Sequence, residues 1–292
     1  MNSTLIVLVI AFACAAMRSG AEDAKIPNDL WKLTAKSDTI AIGELHYNAV
    51  KGTDEYVSLE FDLTKELKSP APIKGKIEIR FYDRKDTHAD IIRHFKQLSG
   101  KPCLVFAVQV DDPVVEGLYL AGSFAESILA STPEVEAAIV QELKQQTKIV
   151  REFEPEKGAP HFREVGRLLA SITDSDSQQE AFSGMEALGE EAVPAIVAQM
   201  NDFRALPTSR MTLKNSPGHW EAVRHYGPDK VVDALAAILN QLTHESYRAI
   251  YNGGSDRERR ACINAWRVHV HHIKNGAEQG GGGQAATRSE SK

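Results

Sequence analysis

Three cysteines in 292 residues are too few for a disulfide framework, and without a Cys-x-x-Cys pair there is no zinc or redox spacing to read. Long apolar runs are also missing. The longest, Leu5 to Met17, falls short of the roughly 20 apolar residues that cross a bilayer. No Gly-x-Gly-x-x-Gly, phosphate loop, Gly-x-Ser-x-Gly elbow or His-Glu-x-x-His occurs, which removes the sharp signatures of nucleotide binding, serine hydrolysis and zinc proteolysis. Excess positive charge is absent as well: 34 basic against 40 acidic residues give a net −6, which argues against a DNA-coating role. What remains, at 42% hydrophobic and 25% charged, has the composition of a globular protein. Its length accommodates two domains at roughly 100–200 residues each.

Leu5–Met17 has the length of a signal-peptide apolar region, and Ser19-Gly20-Ala21 supplies small residues for cleavage after Ala21. Residues 1–21 are therefore expected to direct export, giving a soluble periplasmic or extracellular protein. Lys and Arg are missing before the apolar run, so an uncleaved leader is the alternative. Cys14 follows Ala11-Phe12-Ala13, a faint lipoprotein-like box weakened by bulky Phe12, and membrane contact is expected only if Cys14 is lipidated. Cys103 and Cys262 are expected to be two separate buried thiols, with a disulfide as the alternative.

Residues 30–125 read mainly as strands. Val57, Leu59, Phe61 and Leu63 alternate with polar residues, as do Ile77, Ile79 and Phe81, and Thr39–His46 begins the same way. Cys103–Val110 is nearly all apolar, as in a strand covered on both faces. Gly117–Ala121 is a shorter candidate, and His88–Leu98 has helical spacing. Three strands, a helix and two strands resemble in order an OB-type small barrel. In Lys74–Lys101, Arg80, Arg84 and Lys85 belong to a basic cluster that a polyanion-binding barrel would use, although a solvated face explains it too.

The second half reads as helices. Ser131 and Glu134 have capping-box spacing and open a linking helix over 131–153. Residues 160–273 then repeat apolar faces at helical period. The stretch Ala181-Phe182-Ser183-Gly184-Met185-Glu186-Ala187-Leu188-Gly189-Glu190-Glu191-Ala192-Val193-Pro194 resembles a HEAT-type repeat, clearest over 174–202. Met185 stands where that family usually has Leu. The resemblance implies paired helices that stack to bury faces neither can bury alone. Pro207–Gly218 is expected to be a loop, Trp220–Tyr226 a short helix, and 276–292 a disordered tail.

The expected fold class is therefore α+β: an OB-like barrel of five strands and one helix, followed by an irregular all-α HEAT-like stack. The stack is expected to spend its apolar side chains on helix packing and to leave no enclosed pocket. Candidate binding residues are His219, Trp220, Arg224, His225 and Tyr226 around the Gly227-Pro228 turn, with Arg257 and Arg260 on a second edge. Glu44 and His46 share one strand face and form a candidate acid–base pair. His269 and His272 lie three apart on a helix and are weak metal candidates. No metal site, cofactor or catalytic residue is expected. The sequence supports an exported, non-catalytic protein-interaction or scaffold protein with a protein partner and no nucleic acid. Its alternatives are a metal-assisted hydrolase built from dispersed His and acids, and a polyanion-binding barrel.

Overall fold

The computed structural model describes residues 26–27, 29–46, 56–70, 72–73, 76–82, 88–109, 118–214 and 223–280, and leaves undescribed the side chains at 56–59, 76–78, 80–82, 88–89 and 276–280. The leader with Cys14, and His219, Trp220, Arg84 and Lys85, lie outside the described residues. A helix that the sequence pattern did not announce, α1 (Leu30–Lys36), comes first. It is followed by β1 (Thr39–His46), β2 (Tyr56–Lys68), β3 (Lys76–Tyr82), α2 (His88–Leu98), β4 (Pro102–Gln109), β5 (Leu118–Leu120), α3 (Phe124–Ser127) and β6 (Ile128–Ala130).

β1 pairs antiparallel with both β2 and β4. β2 pairs with β3, and β6 lies antiparallel along Cys103–Val105 of β4. β5 continues beside Ala107–Gln109 and meets β3 in parallel through two residue pairs, Ile79 with Leu118 and Arg80 with Tyr119. The expected five-stranded barrel is thus corrected to a six-stranded mixed sheet whose β3–β5 join is only two pairs long. The reason is local: Glu126 accepts from the Ser123 amide and hydroxyl, at 3.1 and 2.8 Å, starting α3 and splitting the last strand into β5 and β6.

Alternation assigns the two faces of the sheet. Ala41, Leu45, Phe61, Ile79, Cys103, Val105 and Ala107 pack with Phe95 and Leu98 of α2. Ile40, Ile42, Leu104 and Phe106 pack on the opposite side with Leu30 and Leu33 of α1 and with Val135 and Ile139 of the next helix, α4 (Pro133–Arg151). β4 is covered on both faces, as its unbroken apolar run requires. At Gly43, where the β1–β2 register shifts, an added Cβ would stand 2.2 Å from the Asp62 carbonyl oxygen, so only glycine fits. Thr132, not Ser131, caps α4, its hydroxyl accepting from Val135 N at 3.3 Å, while Ser131 donates to Glu136 at 2.7 Å.

Beyond the sheet lie α5 (Phe162–Ala170), α6 (Ser175–Ala187), a 3₁₀ turn at Glu190–Ala192, α7 (Val193–Ala198), the hairpin β7 (Met211–Lys214) and β8 (Val223–Tyr226), α8 (Val231–Thr243), and α9 (Asp256–Gly280). The region 174–202 does form helix, turn and helix, with Gly189 at φ 74°, but the expected all-α stack is corrected: a β-hairpin follows instead of more helices. The loop expected over Pro207–Gly218 contains β7, and the short helix expected at Trp220–Tyr226 contains β8. The hairpin wins because Met211 and Leu213 alternate inward into the core. Gln179 of α6 also exchanges hydrogen bonds with the Thr212 amide and carbonyl, at 3.0 and 2.7 Å, occupying the outer edge of β7.

α8 is buried from Val231 to Leu239, as befits a helix apolar on every side. Asp233 accepts from Arg259 at 2.7 and 2.8 Å, a two-pronged buried pair that fastens α8 to α9. The Ser255–Glu258 capping box forms as spaced, and α9 runs on to Gly280, which corrects the tail expected from residue 276. Residues 281–292 lie outside the described residues. The protein is accordingly a mixed α/β structure, with helices before, within and after its sheet. α1, α4 and α9 pack against one another and join the sheet to the helical half.

Candidate functional site

The junction of α1, α4 and α9 holds a half-open cleft of about 550 Å³, within the range of ligand pockets. Its floor is polar. Asp38, just before β1, accepts from the Gln109 amide at 2.9 Å and the Thr39 hydroxyl at 3.2 Å, and also from Arg248. The Asp38 and Arg248 side chains are 10% and 5% exposed, so the pair is buried.

Arg248 lies in the loop between α8 and α9 in the left-handed backbone region, φ 61°, which an arginine rarely adopts. Its Nε is buried and has no hydrogen-bond partner among the described residues. Such a donor, stripped of water and unpaired, costs about 1–3 kcal/mol.

Lys68, at the end of β2, closes the C-terminal end of α1 by donating to the carbonyls of Thr34 and Ser37, the first at 2.9 Å. An ammonium has three donors, so one remains without an acceptor among the described residues. Burial lowers its pKa to about 8, with Asp38 opposing and Arg248 adding to the shift. Other cations on the lining have carboxylate partners: Lys36 shares Glu245 with Lys32, at 3.2 and 2.7 Å, and Arg151 has Glu152 at 2.9 Å. Lys68 has none among the described residues. With Asp38 balanced by Arg248, Lys68 leaves the cleft with surplus positive charge.

The walls are mostly small and apolar, with Leu143 and Val150 from α4 and Ala261, Ala265 and Val268 from α9. Asn264 adds a side-chain amide to the lining. The hydroxyls present are already committed, Ser37 to Leu33 O and Thr147 to Leu143 O, each at 2.8 Å.

The residues expected to bind fall elsewhere. Arg224 and His225 stand exposed on β8, and His225 lies 3.1 Å from the Thr212 hydroxyl. Tyr226 packs edge-on against Tyr251, 5.9 Å between centroids, and burial raises its phenol pKa. Gly227 N donates to Asn252 Oδ1 at 2.7 Å. The hairpin base and the Tyr251–Gly254 loop are therefore brought together, whereas Arg257 lies toward Asp38 at 3.8 Å and Arg260 is exposed.

His46 pairs across the sheet with Asp62 at 2.9 Å, leaving Glu44 exposed on the same strand. His269 and His272 do not converge on a shared ion. The Tyr247 hydroxyl is 2.9 Å from His269 Nδ1, and Trp31 of α1 stacks on His272 at 4.2 Å. No group of three metal-ligating residues occurs among the described residues. Burial lowers His269 to about 4. Cys103 and Cys262 are separate buried thiols; burial raises both pKa values, that of Cys103 to about 12.

Sequence reasoning missed Asp38, Lys68 and Arg248. Lys65 breaks the alternation after Leu63, and Leu67 packs on the opposite face of the sheet, so no pattern extended β2 to Lys68. Asp38 and Arg248 stand alone between periodic segments and carry no pattern. No family model, curated protein or solved structure matches the chain.

Proposed function

We propose that this is an exported, non-catalytic binding protein that holds a small organic ligand in the cleft between its sheet and its helical half. The carrying observation is a ligand-sized cleft whose lining holds Lys68, without a carboxylate partner among the described residues, beside the buried Arg248–Asp38 pair. The committed hydroxyls of Ser37 and Thr147 support binding over hydrolysis, since neither has a base poised to activate it. The apolar leader carries export into the proposal. Thermal denaturation of the whole protein across small organic molecules sorted by charge tests the reading. Charge-selective stabilisation abolished by Ala261→Phe, which fills the cleft, is the expected result; no cleft-dependent stabilisation by any molecule would overturn it.

A second reading, a protein partner on the β7–β8 hairpin, is favoured by Val223, Arg224 and His225 standing exposed in a row. A pull-down in which Arg224→Glu loses the partner retained by the unaltered protein tests it, and equal retention would remove it.

A further inference from the structure

We propose that the ligand of the cleft is a monocarboxylate carried on an apolar body, the carboxylate lying against Arg248 and Lys68 and the body against Leu143, Val150 and Val268. This rests on the reading of the cleft as a ligand site. Three observations select the class.

First, one of the three donors of Lys68 has no acceptor among the described residues, and the Arg248 guanidinium lines the same cleft with its Nε–H buried and unpartnered among them. An ammonium beside a guanidinium presents charge and donors to the two oxygens of a carboxylate. Second, the lining carries surplus positive charge. Arg151 answers to Glu152 and Arg248 to Asp38, whereas Lys36 shares Glu245 with Lys32, and Lys68 has no carboxylate partner among the described residues. A dianion such as a phosphate monoester would bring its second charge against the Asp38 carboxylate. A neutral ligand would leave the Lys68 charge uncompensated, and a cation would meet it directly. Third, the walls are mostly aliphatic, so affinity grows with each methylene the body buries against them.

The left-handed backbone at Arg248 fits this account. A residue held in a sparsely populated conformation is kept there by its surroundings, and its side chain closes the floor and reaches Asp38 from the far half of the chain.

Octanoate, octanol, octylamine and octyl phosphate provide a matched set for calorimetric titration of the whole protein at pH 7. Octanoate is expected to bind at one site, at least tenfold tighter than the other three. Ala261→Phe should weaken it at least tenfold with circular dichroism unchanged. Raising the pH from 7 to 9.5 should weaken octanoate in the unaltered protein but not in Lys68→Gln, whose floor no longer titrates. Should Lys68→Gln fail to fold, Asn264→Leu, which alters the lining without touching the charges, should retain octanoate over octanol. If octanol, octylamine or octyl phosphate binds as tightly as octanoate and is lost in Ala261→Phe, the cleft stands as a ligand site and the monocarboxylate class falls. If no probe binds in a manner sensitive to Ala261→Phe, the cleft reading falls with it.

Discussion

Arg248 and Asp38, 210 positions apart in the chain, form one buried ion pair at the seam between the sheet and the helical half. Asp38 is simultaneously tied to β4 through the Gln109 amide, so the pair links an α8–α9 loop to the edge of the sheet core. Removing one partner of such a pair leaves a buried charge without compensation, whereas removing both does not.

Arg248→Met is therefore expected to destabilise the protein by about 3–5 kcal/mol, and Asp38→Leu by a similar amount. The double substitution should cost clearly less than the sum of the two. A double-mutant cycle from urea unfolding measures the difference; simple additivity would show that the pair does not couple the halves.

Lys68 sets the behaviour in alkali. Its folded pKa, about 8, lies below the ordinary lysine value, so between pH 8 and 10.5 the unfolded chain binds more protons than the folded one. Stability contributed by this group rises across that window, by roughly 1–3 kcal/mol. Asp38, Arg248, Lys36 and Arg151 share the cleft with it. Unfolding measured at pH 7.5 and 10 should show the rise in the unaltered protein and its loss in Lys68→Met.

His269 acts at the acid end. Its neutral ring faces the Tyr247 hydroxyl, and its pKa of about 4 lies below the free value because of burial, with Glu245 opposing and Lys32, His272 and Lys36 adding to the shift. The unfolded chain takes up the proton first, so stability falls as pH drops from 6.5 to 4, by roughly 1–3 kcal/mol. Thermal melts over that range should decline steeply, and less steeply in His269→Gln. An unchanged slope would place the acid sensitivity elsewhere.

Gly43→Ala inserts a methyl against the Asp62 carbonyl oxygen 2.2 Å away and against the Phe61 ring at 2.7 Å. The expected outcome is a loss of at least about 2 kcal/mol, in line with overpacking of a tight site. Gly100→Ala offers the comparison: its φ of 70° strains the new side chain but nothing lies within 4 Å, so it should cost less.

Much of the local structure was legible because it is periodic. The alternation at Thr39–His46 and Lys76–Tyr82, the apolar run at β4 and the helical spacing at His88–Leu98 each name their element directly. The helix α1 went unread because seven residues make too short a window for a period. The β7–β8 hairpin went unread because its pairing is decided by Met211 and Leu213 finding the core and by Gln179 finding the strand edge, not by strand composition. The hairpin residues Arg224 and His225 were legible as exposed polar groups, while the floor of the cleft was not.

Sequence alone determined which faces of the strongly periodic segments must be buried and that the familiar catalytic signatures are missing. Hydrophobic period and capping chemistry act over a few residues, and these features need nothing more. Tertiary structure decided the six-stranded pairing, the packing of α1 and α4 on the sheet, and the meeting of Asp38, Lys68 and Arg248. Those three come from a pre-strand turn, a strand end and an interhelical loop. Their closeness follows only from α1, α4 and α9 burying their apolar sides together.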